Sequence, residues 1–186
     1  MRKFLTLILI AFIAALTGGI YGAIHDQLTY TISPEYYTKF KFIQFELVDE
    51  GIETPIPNPR IWVAVVGVLA TWWMGVLIGI ILGLVGLSHT NWHTMLRVTL
   101  RAFVITTIIA FVIGIIGLIY GRLFLANDPI ESFSNWFIPD NIIDFKSFVM
   151  VGSMHNFSYA GGIIGLVVGI VYSLGQRSKP AEITAS

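Results

Sequence analysis

The chain contains no cysteine. That absence excludes disulfides, thiolate metal sites, iron–sulfur clusters and thiol redox catalysis, and it leaves cysteine usage silent on compartment. Charge is equally scarce. Asp, Glu, Lys and Arg together make up 12% of the residues, and the eleven bases balance the eleven acids to a formal net charge of zero. No basic run is interleaved with aromatics, so no nucleic-acid partner is expected. The common catalytic signatures are missing too: there is no G-x-S-x-G, no H-E-x-x-H, no Walker A loop and no E-x-x-H pair of the di-iron bundle kind. Whether the protein is an enzyme is therefore left open by its motifs.

What the chain does have is apolar sequence. Hydrophobic residues make up 55% of it and the mean hydropathy is +0.79, outside the range of an ordinary soluble domain. Four apolar segments, residues 4–23, 61–87, 102–121 and 148–174, are long enough to cross a hydrocarbon core of about 30 Å. The expected fold is an all-α integral membrane protein. It has one domain of four transmembrane helices arranged as two tandem hairpins, with a short amphipathic helix in the first outer loop. The first segment has a second reading as a cleaved signal peptide, with Arg2 and Lys3 in front and Thr17-Gly18-Gly19 as a small-residue site. Small residues that continue at helical spacing past Gly19 favour a retained span.

Arg2, Lys3, Arg97, Arg101, Arg177 and Lys179 lie on one side of a four-span arrangement. The positive-inside rule makes that side cytoplasmic, with both termini, the loop 88–101 and the tail 175–186. The loops 24–60 and 122–147 then face outward, and a bacterial inner membrane is the expected location. Lys39, Lys41, Arg60, Arg122 and Lys146 on the outer side dilute the signal.

In the first outer loop, Thr29–Ile32 has strand-forming residues, and Ser33-Pro34-Glu35 reads as a helix start. Tyr36, Phe40, Ile43 and Leu47 then give one apolar face, predicting a helix on the membrane surface or over the mouth of the bundle. Residues 50–59, with three prolines, read as an irregular connector. On the other side, His89, His93, Arg97 and Arg101 are spaced by four and read as a solvated or phosphate-facing stripe.

Glycines recur every fourth position in the second span (Gly75, Gly79, Gly83) and the fourth (Gly161, Gly165, Gly169), where close helix packing in lipid would use them. The two sets align without gaps, and Ile20-Tyr21-Gly22 recurs as Ile119-Tyr120-Gly121. Duplication of a helical hairpin and chance matching of glycine-rich segments both account for this.

Two polar runs interrupt the apolar sequence. His25-Asp26-Gln27 follows the first span, and Ser153-Met154-His155-Asn156-Phe157-Ser158 lies inside the fourth. Polar groups inside a membrane are costly, so they are a functional hypothesis by default. His25, Asp26, Glu35, His155 and Asn156 are the candidate ligands of an outer-facing site, which would suit a divalent metal ion bound through nitrogen and oxygen, or a small ligand. Arg122 is a candidate for an ion pair with Asp26 or Glu35, or for an anionic head group. The competing reading is that these groups only cap and join helices. The function classes are thus a metal- or ligand-binding membrane protein, a structural subunit of a membrane complex, and a small transporter or channel. The mostly apolar inner halves of the spans count against the last. The bilayer is the expected surrounding, with a homo-oligomer or a membrane-complex partner as further expectations.

Overall fold

A computed structural model describes residues 1–49 and 56–177; most of the proline-rich connector and the end of the tail, with Lys179, lie outside the described residues. Among the described residues the regular structure is helical. Four long helices are apolar enough to cross a membrane: α1 (Arg2–Ile32), α4 (Pro59–Gly86), α5 (Trp92–Leu123) and α6 (Phe145–Gly175). Most of their exposed side chains are apolar, as contact with lipid requires. On α1, Phe4, Ile8, Phe12, Leu16, Ile20 and Ile24 form one exposed stripe. These features suggest an integral membrane protein.

The first helix does not stop where the apolar run stops. It continues nine residues beyond Ala23, through His25 and Asp26 and on to Ile32. The strand-like residues 29–32 are therefore helical. No proline or glycine interrupts them, and the hydroxyls of Thr29 and Thr31 bond back to carbonyls one turn earlier. Pro34 ends the helix, because the residue before a proline is pushed to extended backbone, and Ser33 adopts φ −137°, ψ 92°.

The segment after Ser33 is helical in three short pieces, α2 (Pro34–Tyr36), a π-helical stretch (Tyr37–Lys41) and α3 (Phe42–Gln44). The wider π turn changes which residues face inward. Tyr36, Tyr37 and Phe42 are buried against Val63, Val66, Phe148 and Val151, while Phe40 and Leu47 only flank that cluster. A regular α-helical periodicity could not anticipate this shift.

Helix α1 packs along α4 at very short range. A Cβ placed on Gly22 would fall on the Gly67 carbonyl and the Thr71 hydroxyl, and one on Gly75 would fall on the Ala14 carbonyl. Gly79 and Gly83 meet Ala14 and Leu7 of α1 in the same way. Helix α5 packs along α6: Gly161 faces Ala110 and Ile113, and Gly165 and Gly169 face Thr106. The Ser153 hydroxyl donates to the Gly117 carbonyl at 2.7 Å, tying α6 to α5. Between the two pairs lies a looser seam. At the Lys3 end it is bridged by His89, whose Nε2 lies 3.1 Å from Ser173 Oγ of α6, and Lys3 of α1 holds the loop carrying His89 by donating to the carbonyls of Leu87 and His89. His89 is thus buried, whereas His93, Arg97 and Arg101 are exposed on α5.

Candidate functional site

At the other end of the seam three ionisable side chains meet. His25 and Asp26 come from α1 and His155 from α6, and they are 4%, 4% and 7% exposed. One ligand atom of each lies within 4.8 Å of the other two. Asp26 Oδ1 is 3.2 Å from His25 Nδ1 and 3.5 Å from His155 Nε2, and the two imidazoles meet edge to face with centroids 4.8 Å apart. Their convergence follows from the continuation of α1: Gly18, Gly22, His25, Asp26 and Thr29 form one buried stripe at helical spacing.

Hydrogen bonding assigns roles to the ring nitrogens. His155 Nδ1 lies 2.9 Å from the Val151 carbonyl one turn below. A carbonyl only accepts, so Nδ1 carries the proton, and in the neutral ring Nε2 presents a lone pair. Among the described residues that atom makes no hydrogen bond. A lone pair facing a carboxylate oxygen at 3.5 Å is repulsive unless a proton or a metal ion lies between them. His25 is fully engaged, with Nδ1 on Asp26 and Nε2 3.2 Å from Ser158 Oγ. A backbone carbonyl or hydroxyl on the far nitrogen is how metal-binding histidines are commonly oriented. Two edges, 3.2 and 3.5 Å, are close to the roughly 3.3 Å between ligands about a tetrahedral ion with bonds of about 2.0–2.1 Å; the edge between the two imidazoles is bounded only at 4.8 Å, so the rings would draw together on a bound ion.

The other candidate residues lie elsewhere. Glu35 does not join the group: it accepts from Lys39 Nζ at 2.6 Å and from the backbone N–H groups of Ile143 and Asp144 at 3.1 and 2.6 Å. Burial acts to raise its pKa, but Lys39 and those N–H groups outweigh it and hold the carboxyl below the ordinary range. Asn156 is exposed, because its direct neighbour His155 faces inward and successive helical residues diverge by about 100°. Arg122 is exposed near the end of α5, while Asp26 and Glu35 are engaged by His25 and Lys39.

Further side chains join the group, among them Ser158 from the polar run of the fourth span. Ser158 lies one turn after His155, and Tyr21 lies one turn before His25 with ring centroids 5.7 Å apart. Both share a helix face with a histidine, which was a usable signal. Tyr36, on the expected apolar face of the loop helix, stacks on His155 at 5.0 Å and 24°. Lys41 is buried nearby, its ammonium 5.2 Å from the Phe40 ring centroid and donating to Gln44 Oε1. Burial pushes its pKa down from the usual lysine range while Asp26 pulls it up.

Below the triad a cavity of about 90 Å³ runs along the seam, walled by all four long helices. Compared with family models, curated proteins and solved structures, the chain matches none of them.

Proposed function

We propose that His25, Asp26 and His155 bind a divalent metal ion through two nitrogens and a carboxylate oxygen, at the outward-facing end of a membrane bundle. The unpartnered His155 Nε2, aimed at the Asp26 carboxylate, carries this reading. His25 would join it as the neutral tautomer with its proton on Nε2, which donates to Ser158, and the Nδ1 lone pair on the ion. Three protein ligands leave a position open, the pattern of sites that hold an exchangeable ligand. The test is metal analysis of the purified protein beside His155→Ala. The wild type should retain close to one equivalent and the variant little. Equal content in both would remove His155 from the site.

A second reading draws on Lys41, a buried cation on the same cavity. Here Asp26, the histidines and Lys41 form a closed ion network that seats the segment 34–44 on the bundle, as in an accessory subunit without chemistry of its own. It requires metal-free wild-type protein with unchanged thermal stability after metal is added.

We also propose that the two helix pairs arose from one duplicated hairpin. The support is in paired contacts. Offsetting α1 by 99 residues and α4 by 86 converts Gly75–Ala14 into Gly161–Ile113, and Gly83–Leu7 into Gly169–Thr106; all four contacts are present. In an experimental structure, a rotation about the membrane normal should superpose one pair on the other with these glycines in register. A best superposition that shifts them by a helical turn would overturn the duplication.

A further inference from the structure

The cavity under the triad has two kinds of wall. Met74, Ile78, Phe103 and Ala110 supply apolar surface. The threonines beside them contribute methyl groups, because their hydroxyls are turned onto backbone carbonyls. Thr71 faces Gly18 and Gly67, Thr106 faces Ala102 and Gly165, and Thr107 faces Phe103. Polarity is concentrated at the triad end. Among the described residues two buried polar atoms there make no hydrogen bond within 3.5 Å, His155 Nε2, which faces Asp26, and Tyr21 Oη, which has Ser158 as a polar neighbour, and both residues line the cavity. The cavity extends roughly 10 Å along α6, from His155 to Gly162 at about 1.5 Å per residue.

We propose that this cavity is the binding site for a hydroxyl-headed membrane amphiphile of the long-chain alcohol class, with its oxygen at the triad and the start of its chain in the seam. This deepens the metal reading and rests on it for what the oxygen meets. The hydroxyl oxygen accepts from Tyr21 and takes the open position on the ion. The seat for the chain stands on the cavity alone. A volume of about 90 Å³ equals that of about three waters in the liquid, so it takes only the first few carbons. The rest of the chain leaves at Gly162, where an added Cβ would meet nothing within 4 Å, past the partly exposed Tyr159. The apolar walls disfavour a water-filled cleft. The missing side chain at Gly162 is unlike the other glycines of α6, most of which abut α5 or Trp136.

The probe is hexadecanol carrying a diazirine close to its hydroxyl, used on the full chain in lipid nanodiscs and read by mass spectrometry. Saturable adducts are expected on Met74 or Phe103, competed by plain hexadecanol. Gly162→Leu, which fills the cavity, should lower the apparent affinity about tenfold or more. Gly162→Ala, adding one methyl group in open space, should give a smaller loss with folding unchanged. Tyr21→Phe should weaken the alcohol but not a hexadecane probe of the same design. Metal content measured in parallel separates the two readings. Saturable labelling of metal-free wild type would keep the chain site and remove the metal. Unsaturable adducts confined to lipid-facing residues such as Phe12 and Ile116, in protein that holds metal, would overturn the cavity site alone. Labelling unaffected by Gly162→Leu would do the same.

Discussion

At the scale of single residues, the site depends on what holds each ring. His155 is oriented by a carbonyl of its own helix, so its donor nitrogen is set within one turn of α6. His25 depends on a side chain from the neighbouring pair, Ser158. Removing that hydroxyl leaves the histidine present but loosely aimed. Ser158→Ala should therefore lower metal affinity about 10- to 100-fold, the usual cost of losing an orienting partner, while the helices stay assembled. Competition with a chelator of known affinity measures it, and an unchanged affinity would exclude Ser158 from that role. The sequence made His25, Asp26 and His155 legible, because ionisable groups stand out in apolar surroundings. It misled on Glu35 and Asn156. Lys39, one helical turn from Glu35, was visible as a competing partner, and the helical rotation between His155 and Asn156 was likewise available.

At the scale of elements, boundaries were the weak point. Hydropathy marks where apolar residues end, whereas a helix ends where backbone geometry changes, and for α1 that is Ser33 before Pro34. Close helix packing at the glycines could be anticipated from their spacing, but the π turn at Tyr37–Lys41 could not, since nothing in that stretch forbids an ordinary α turn. The segment 34–44 is also fastened to the second long connection, through Glu35 on the N–H groups of Ile143 and Asp144. Because the folded pKa of Glu35 is depressed, this fastening stabilises at neutral pH and is lost as pH falls through the ordinary glutamate range and then below it. The melting temperature of wild type should exceed that of Glu35→Gln at neutral pH, and the gap should narrow steadily as pH is taken through and below the ordinary glutamate range. A gap that stays constant across this window would show that the carboxylate charge contributes nothing.

For the whole molecule, the decisive feature is the contrast between two tightly packed helix pairs and the seam that separates them. The glycine spacing pointed to close packing but not to which helices pair. The cavity was not legible either. Its volume depends on where Thr71, Thr106 and Thr107 send their hydroxyls and on the empty space at Gly162, properties of the packed state rather than of any one segment. The triad is split across this seam, with its carboxylate on the first of the four long helices and His155 on the fourth. In synthesis α1 emerges before α6, so Asp26 is made beside His25 before its second partner exists. A charged aspartate at mid-membrane costs about 2.5–3.5 kcal/mol on insertion scales, and Asp26 sits near one end, where the cost is smaller. The arrival of His155 completes the cluster, so the triad forms only once all the long helices are in place.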